Sequence, residues 1–423
     1  MRICFLSRRY FPAISGMSVY ALNLLRELVA AGYDVTMISQ YRADPEGAGV
    51  YGGGPPPKVP GVSVLGLESR GEALAGAGRP ADFEADIEQM VTAVECRHAI
   101  RPFDVIHAQY GYPTGLAALE AGRRLGLPTV VSIQGGDGHW VGGCCATHRA
   151  AMRAVLLHAD AVLIGSESFA GEVVENLGVP REVFTVVPGG TDTARFTPAD
   201  EATVGDLPAV PTLLYHGRVD VRKGVNELLD AFASLVSGGR NLRLVVSGIG
   251  PDVDATQDRA ATLGLGDRVE FTGYSSYDDA PRAYRRGDLF VSPTYSEGFS
   301  NTILEAMASG LPIVSTRAVG VVDCLEDGRD SLLVEPRDAV GLADAVARLL
   351  DDAPLRRRLA HRALADVRRL YSWGTVGRQI LQVYDRVAGG TPSAGWLDLY
   401  DPRAVTVATA DPRCRFRAAP HLL

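Results

Sequence analysis

The sequence predicts an α/β protein with two doubly wound, Rossmann-like domains. In both halves of the chain, short apolar runs of strand character alternate with longer segments whose apolar residues recur at helical spacing. The chain has 423 residues, of which 46% are hydrophobic, and this length suits more than one domain with a sizeable core. Residues 191–208 lack apolar periodicity, and we interpret them as a linker between domains at 1–190 and 209–371.

The chain begins with a βαβ unit. Residues 2–7 form an apolar run, a helix is predicted from about Met17 to Ala31, and residues 34–39 form the next strand. Four apolar residues lie on one face of that helix, at Ala21, Leu24, Leu25 and Leu28. The turn at Gly16 lies where a Rossmann-like domain binds its ligand, but it lacks the G-x-G-x-x-G pattern of dinucleotide-binding domains.

Four more strands and three helices complete the first domain. The strands are predicted at 104–108, 128–133, 160–166 and 183–187, and the helices at 81–99, 150–158 and 168–177. Residues 43–61 are rich in Gly and Pro and predict a surface loop. Such a loop either borders a substrate or is a tolerated insertion.

The second domain repeats the alternation of strands and helices. Its strands are predicted at 212–216, 242–247, 268–272, 288–293 and 311–315. Its main helices follow Gly224 and Gly298 and lie at 344–350 and 354–370. A last amphipathic helix, 372–388, carries one apolar stripe, and residues 389–423 form a tail to which the sequence assigns no role.

The stretch Tyr295–Thr316 organises the second domain. It reads as a strand end, a loop with Glu297, a helix whose first turns hold Glu305, and the next strand. The N–H groups of residues 299–302 would face an anion at this helix N-terminus. The alternative is a capping box formed by Thr302 and Glu305, with Glu297 as a solvated loop residue.

A second charged loop follows the strand at 212–216. The segment GRVDVRKG contains Arg218 and Lys223, one of only two lysines among 42 basic residues. Fixed cations there can stabilise the negative charge of a leaving diphosphate without a metal ion. The segment lacks the G-x-x-x-x-G-K-[ST] pattern of a P-loop, and the alternative is an ordinary solvated loop.

Taken together, these motifs resemble the family-four retaining glycosyltransferases, which have the GT-B fold of two domains facing a cleft. The resemblance rests on EGFSNTILE at 297–305, on Arg218 and Lys223, and on PGGTDTARF at 188–196. It implies that Glu297 binds the donor sugar and Glu305 the ribose, and that the final helix returns to the first domain. The implied donor-binding residues are Gly16, Arg218, Lys223, Gly248, Tyr274, Glu297, Gly298, Phe299, Ser300, Asn301 and Glu305.

The first domain departs from the family pattern in two places. The family usually carries a histidine at the strand end where this chain has Gln134, and two glycines where this chain has Ser15 and Gly16. Glutamine can donate a hydrogen bond to a sugar hydroxyl but cannot titrate. The resemblance therefore implies catalytic roles for Gln134, Arg218, Lys223 and Glu297. If a base were needed, Asp137, His139 and His107 would be the residues to test.

The resemblance implies transfer of a hexosyl group from a UDP- or GDP-sugar with retention of configuration and without a cofactor. The acceptor stays open among glycans, lipid-linked glycans and small molecules; the segment SGMSVY at 15–20 resembles family members that glycosylate inositol phosphate. Three alternatives are a non-catalytic nucleotide-sugar-binding subunit, a nucleotide-sugar epimerase and a pyridoxal-phosphate-dependent phosphorylase. The subunit would not hydrolyse a nucleotide sugar, and the lysine positions disfavour the phosphorylase.

Composition sets the remaining expectations. The net charge of −8 disfavours nucleic acid and gives no support to binding at anionic membranes. The six cysteines lack paired spacing, no signal peptide is recognisable, and both features favour a reducing cytoplasm. We predict no metal ligands near Cys144, Cys145 and His148, because adjacent cysteines cannot easily both reach one tetrahedral ion and no second Cys/His pair has ligand spacing. The D-x-D at 252–254 lies in the wrong context for a metal.

Overall fold

The fold is described from a computed structural model, which covers residues 1–12, 15–42, 54–72, 78–401 and 414–418. The chain divides into two compact units, residues 1–188 with 377–423, and residues 189–376. Each unit contains one parallel β-sheet flanked by helices. Within the described residues, no helix combines the length and apolar character needed to cross a bilayer.

The first unit contains a seven-stranded parallel sheet in the order β3-β2-β1-β4-β5-β6-β7. Because helices cover its faces, its central strands are almost continuously apolar and buried. The direction of winding reverses between β1 and β4, so the ends of these two strands border a crevice. The strands are β1 Arg2–Ser7, β2 Asp34–Tyr41, β3 Val62–Glu68, β4 Val105–Gln109, β5 Thr129–Ile133, β6 Ala161–Ile164 and β7 Phe184–Val186.

The helices of the first unit begin at residues suited to capping in several places. Asp82 and Ser166 accept hydrogen bonds from backbone N–H groups of the first turn of the helices that follow them. The helices are α1 Gly16–Ala30, α2 Phe83–Ile100, α3 Leu116–Leu125, α4 Ala146–His158 and α5 Glu167–Leu177.

The second unit contains a six-stranded parallel sheet in the order β10-β9-β8-β11-β12-β13. Here the winding reverses between β8 and β11, which pair in parallel. The second crevice therefore lies at the carboxyl ends of these two strands. The strands are β8 Thr212–His216, β9 Arg243–Ser247, β10 Val269–Gly273, β11 Leu289–Ser292, β12 Ile313–Thr316 and β13 Leu332–Val334.

The core of the second unit joins its sheet to the amphipathic helices. Leu228, Leu229 and Phe232 share one buried cluster with Val346 and Leu349 from a helix near the end of the unit. The helices are α6 Val225–Ser237, α7 Val253–Thr262, α8 Ala280–Tyr284, α9 Asn301–Ala308, α10 Ala339–Asp351 and α11 Ala353–Leu370, followed by α12 Trp373–Val387, which continues into the first unit.

The segment interpreted as a linker is ordered against the second unit. The N–H of Thr191 donates to the carbonyl of Tyr371, and Phe196 is buried against Tyr284, with ring centroids 5.6 Å apart. Residues 191–208 therefore belong structurally to the second unit. In the first unit, the Tyr384 hydroxyl of α12 lies 2.5 Å from Nδ1 of His107 on β4.

The C-terminal tail contributes two described pieces to the first unit. Trp396 is fully buried, and α13, Arg415–Ala418, places Arg417 against α2, where it donates to both carboxylate oxygens of Glu84 at 2.7 and 2.8 Å. The rest of the tail, 402–413 and 419–423, lies outside the described residues, as does the part of the predicted Gly/Pro-rich loop at 43–53.

The α/β fold class predicted from the sequence is confirmed, and all eleven predicted strands are present at nearly the predicted places. The sequence reading did not include β3, β13, α3, α7 and α8. The reason is visible for β3: most of its residues are only half-buried and it follows a Gly/Pro-rich segment, so it lacks the continuous apolar run of its neighbours.

Candidate functional site

The candidate site of the second unit lies at the reversal point of its sheet. The segment after β8 carries Arg218 and Lys223, and the segment after β11 carries Glu297. The two segments are joined by a hydrogen bond from the N–H of Tyr295 to the carbonyl of Arg222, at 3.0 Å. This is the position at which doubly wound sheets bind ligands.

Lys223 and Glu297 form an ion pair. The distance from Lys223 Nζ to Glu297 Oε1 is 2.6 Å, and both side chains remain partly exposed. The family resemblance implies separate roles for these residues, one toward the diphosphate and one toward the sugar. The structure brings them together, although 74 positions separate them in the chain.

Asp220 orders the loop between Arg218 and Lys223. Its carboxylate accepts from the side chain of Arg222 at 2.7 Å and lies 3.5 Å from Nε of Arg218. The hydrogen bond from Arg222 is the main reason that the pKa of Asp220 falls to about 2. The sequence analysis did not assign a role to Asp220.

Glycines allow the loops around the site to pack backbone against backbone. A Cβ on Gly248 would lie 1.8 Å from the carbonyl oxygen of Gly217, and one on Gly250 would lie 2.0 Å from that of Val219. A Cβ on Gly224 would lie 2.0 Å from the carbonyl oxygen of Pro293. Only glycine fits these contacts, which fix the Arg218–Lys223 loop against the ends of β9 and β11.

Gly320 fixes the loop that carries Glu297. The N–H of Glu297 donates to the carbonyl of Val319 at 2.9 Å. Gly320 has a φ of +77°, and a Cβ there would lie 2.3 Å from the carbonyl oxygen of Glu297. The backbone of Glu297 is therefore held against a residue that must be glycine, and no sequence motif marked it.

Glu305 is buried and does not form the capping box that was the alternative reading. Helix α9 begins at Asn301 with Ser300 as its N-cap, without a side-chain capping bond. The carboxylate of Glu305 instead accepts from the Tyr284 hydroxyl at 2.7 Å. Burial raises the pKa of Glu305 to about 7, partly offset by Tyr284 and by the charge of Arg195.

The segment between Glu297 and Glu305 combines side-chain packing with the start of a helix. The ring of Phe299 packs against Tyr371 with centroids 5.5 Å apart, and Ser300 Oγ lies 3.2 Å from the Thr302 hydroxyl. Gly298 and Asn301 flank these residues at the start of α9. The first turn of a helix leaves N–H groups without intrahelical acceptors, so this segment suits an anionic ligand.

Two further predicted residues follow the outer strands of the same sheet. Gly248 follows β9, and Tyr274 follows β10 with about half of its surface exposed. The first aspartate of the D-x-D, Asp252, accepts from the N–H of Val221 at 2.8 Å. Asp252 therefore has a role in ordering the loop after β8.

In the first unit, Gln134 and the start of α1 are connected through Gln109. The Gln109 amide donates to Oε1 of Gln134 at 2.8 Å and to the carbonyl of Met17 at 2.7 Å. Gly16 is the first residue of α1, and Ser15 caps the helix by accepting from the N–H of Ser18. Gln109 ends β4, at the reversal point of this sheet, and the sequence analysis did not single it out.

The three residues considered as bases are engaged in structural contacts. Asp137 is buried and accepts from the N–H groups of Gly111, Gln134 and Gly135, while burial raises its pKa to about 6. Nδ1 of His139 lies 2.7 Å from Glu172. His107 is fully buried, and burial lowers its pKa to about 3.

A cationic cluster follows β1 in the same unit. Arg8, Arg9 and Arg42 all contact the carboxylate of Glu72, at 2.6 to 2.9 Å. Arg8, Arg9 and Glu72 are buried. Three guanidinium groups thus surround one carboxylate, which leaves an excess of positive charge in this cluster.

Comparison with known proteins identifies both units. Residues 210–352 match the profile of the glycosyl transferases group 1, and residues 15–190 match that of the glycosyl transferase 4-like domain. A D-inositol 3-phosphate glycosyltransferase of Frankia alni is 30% identical over 401 residues, covering 87% of this chain and 94% of the relative.

Solved structures of similar proteins share the fold. The sucrose-phosphate synthase of Thermosynechococcus elongatus superposes with a TM-score of 0.75 and 25% identity, covering 91% of this chain and 98% of that protein. HepE of Anabaena, solved in complex with UDP-glucose, superposes with a TM-score of 0.71 and 19% identity, covering 91% of this chain and all of HepE. With the profile matches and the near-full-length relative, these likenesses establish that the chain is a GT-B glycosyltransferase of the glycosyl transferases group 1, family four.

Proposed function

We propose that this protein transfers a hexosyl group from a nucleotide sugar to an acceptor hydroxyl, with retention of anomeric configuration and without a catalytic metal ion. The observation that carries the proposal is the Lys223–Glu297 pair at the reversal point of the second sheet, beside Arg218 and the start of α9. In this proposal the donor diphosphate binds Arg218 and Lys223. A hydroxyl of the donor sugar binds Glu297, and the ribose of the nucleotide binds Glu305.

A UDP-sugar is the donor to test first. The cations and the helix N-terminus suit a diphosphate, and neither feature discriminates between the nucleobases uracil and guanine. HepE, which has the same fold, binds UDP-glucose. GDP-sugars form the comparison set, because the residues named above contact only groups that both kinds of donor share.

Retention follows in this proposal because, among the described residues, the three considered as bases are engaged in structural contacts, namely Asp137, His139 and His107. The bond between the anomeric carbon and the donor diphosphate breaks, and a bond to the acceptor oxygen forms on the same face of the sugar. The acceptor proton passes to a leaving phosphate oxygen, whose charge Arg218 and Lys223 stabilise. Gln134 holds the position where the family has histidine; its amide orients or stabilises the sugar but cannot accept the proton.

A phosphorylated acceptor is favoured among the open classes. The Frankia alni relative is named for an inositol phosphate acceptor, and the cluster of Arg8, Arg9 and Arg42 around Glu72 carries an excess of positive charge. Glycans and lipid-linked glycans are the other classes to include in an acceptor screen.

The deciding experiment joins a donor and acceptor array, read by mass spectrometry, to proton NMR of the product. An α-linked product from an α-linked donor is expected, and a β-linked product would contradict retention. Slow hydrolysis of one donor without acceptor is expected of the enzyme. A chain that binds nucleotide sugars yet neither transfers nor hydrolyses them would be the non-catalytic subunit, and conversion of the free donor to its epimer would indicate an epimerase.

A further inference from the structure

Four side chains with metal-ligating atoms meet in the first unit, away from the residues discussed above. Cys144 and Cys145 precede α4, His148 lies in its first turn, and Cys414 directly precedes α13. One ligating atom from each of these residues lies within 4.8 Å of the others. Cys414 is 266 positions from His148 in the sequence, so only the fold brings the set together.

Three distances within the cluster match the edges of a tetrahedron around a zinc ion. With Zn–S near 2.3 Å and Zn–N near 2.0 Å, a tetrahedral site separates two sulfurs by about 3.8 Å and a sulfur from a nitrogen by about 3.5 Å. Sγ of Cys144 and Sγ of Cys414 are 3.8 Å apart. Nδ1 of His148 is 3.3 Å from Sγ of Cys145 and 3.5 Å from Sγ of Cys414.

The packing around His148 orients its ring so that Nδ1 faces the cysteine sulfurs. His148 and Cys414 are buried, and the His148 ring packs against the aromatic rings of Phe83, Tyr112 and Phe416, with centroids 6.0, 4.7 and 5.6 Å away. Nδ1 faces the sulfurs, whereas Nε2 lacks a hydrogen-bond partner among the described residues. Aromatic packing thus fixes the ring with Nδ1 toward the three thiols.

The expectation that adjacent cysteines could not share an ion overlooked the local backbone. The N–H of Cys144 donates to the carbonyl of Val141 in a turn, and Cys145 then takes an extended conformation as the N-cap of α4. After this change of direction both sulfurs lie within the same 4.8 Å cluster.

We propose that Cys144, Cys145, His148 and Cys414 bind one zinc ion, which ties the C-terminal tail to the body of the first unit. Three thiolates and one imidazole favour zinc over hard cations such as magnesium or calcium. Four protein ligands leave no open position for substrate, so the site is structural. A structural ion here is compatible with transfer that needs no metal.

The tail held in this way bears on two other contacts of the unit. Arg417, three residues after Cys414, forms its ion pair with Glu84 on α2, and Phe416 packs on His148. The ion would therefore fix α13 between α2 and α4. A competing reading of the same distances is a Cys144–Cys414 disulfide, and the test below separates the two.

The test measures bound metal directly on the full-length protein, purified without chelator in the presence of a reductant. We expect about one zinc per chain by plasma mass spectrometry. Replacement of zinc by cobalt should give the visible absorption of a tetrahedral thiolate site. A wild-type protein without bound zinc that also fails to bind added zinc or cobalt would overturn the proposal, as would a Cys144–Cys414 disulfide found by peptide mapping after purification.

Variants assign the ligands. Cys414→Ser should lower the zinc content at least tenfold and make the end of the chain more sensitive to limited proteolysis. Cys96→Ser, at an exposed cysteine of α2, should keep both properties unchanged. If Cys414→Ser retained its full zinc content, Cys414 would not be a ligand and the proposed site would be wrong. Metal content is read without an activity assay, so this outcome is independent of the proposed function.

Discussion

The ion pair between Lys223 and Glu297 places two charges where a ligand can separate them. Both side chains are partly exposed, so the pair contributes little to stability, about 0–1 kcal/mol for pairs of this kind. In the protein without ligand, the ion pair orients both side chains at the candidate site. A diphosphate would take over Lys223, and a sugar hydroxyl would then donate to Glu297.

Lys223→Ala tests whether that cation acts in the transition state. We expect kcat to fall by about 100-fold or more, because the charge on the leaving diphosphate loses a fixed partner. Lys58→Ala is the matched control: it removes the other lysine of the chain, which is exposed in the first unit. Initial rates over a range of donor concentrations give kcat and KM for both variants. An unchanged kcat with a raised KM would assign Lys223 to ground-state binding instead.

Glu305 predicts a proton linkage for nucleotide binding. Its pKa is about 7 in the folded protein, well above the ordinary 4.5. Between about pH 4.5 and pH 7 the folded state therefore holds a proton that the unfolded state has lost, so the free energy of unfolding falls as pH rises through this range. Hydrogen bonds from ribose hydroxyls would favour the carboxylate and lower this pKa. Binding of UDP at pH 7 should therefore release about half a proton.

Calorimetry measures this release. The apparent binding enthalpy of UDP should differ between PIPES and imidazole buffers, whose ionisation enthalpies differ. In Glu305→Gln the difference should fall to the smaller part that the terminal phosphate of UDP contributes by losing its own proton. Equal enthalpies in the two buffers for the unmodified protein would show that nucleotide binding does not titrate Glu305.

The environment of Glu305 shows that residue spacing does not predict contacts between helices. The T-x-x-E pattern is local and predicts a cap, whereas the actual partner is Tyr284, on another helix 21 positions earlier. Burial of the carboxylate depends on how α8 and α9 pack. The position of Glu305 in the candidate site came from the family resemblance and not from periodicity.

At the scale of elements, loops packed through glycine connect the strands to the site. Gly224, Gly248, Gly250 and Gly320 each bring backbone against backbone in the second unit. These contacts replace side-chain interlocking and leave little freedom for the loops after β8 and β11. The positions of Arg218, Lys223 and Glu297 depend on them.

Gly320→Ala tests this dependence, with Gly328→Ala as its control. Both glycines have positive φ, +77° and +71°, so the backbone conformation alone should cost each alanine variant about 1–2 kcal/mol of folding free energy. Only at Gly320 would the new Cβ press on the carbonyl of Glu297; at Gly328 it would meet no atom within 4 Å. Melting curves should thus shift for both variants, whereas kcat/KM should fall at least tenfold for Gly320→Ala alone. Equal activity in the two variants would contradict the role of Gly320.

Sequence patterns predicted the elements of the two cores well and the edges of the sheets poorly. Strands β1 and β8 were predicted with their observed bounds, because continuous apolar runs between polar turns leave few alternatives. The short edge strand β13 and the half-buried β3 carry weaker patterns. Gly320 and Gln109 gave no signal, since their importance arises from contacts between segments distant in sequence.

At the scale of the whole molecule, each unit has its own doubly wound sheet and its own reversal point. The candidate site residues lie beyond β8 and β11 in one unit and beyond β1, β4 and β5 in the other. The resemblance to a known family predicted this division of residues. The four-residue cluster at Cys414 could not be predicted in the same way, because the tail lies beyond the region that resembles the family.

An experiment on the full-length protein can distinguish a catalytic metal ion at the diphosphate from the proposed structural zinc ion. If Arg218 and Lys223 stabilise the leaving diphosphate, turnover should continue unchanged when EDTA is added at the start of the assay, and manganese or magnesium should not raise the rate. The proposed zinc ion is enclosed by four protein ligands, so its removal should be slow and should affect stability before chemistry. The control is the same assay with zinc content measured before and after EDTA. An immediate loss of rate at unchanged zinc content, reversed by manganese, would place a catalytic metal at the diphosphate and contradict the roles given to the two cations.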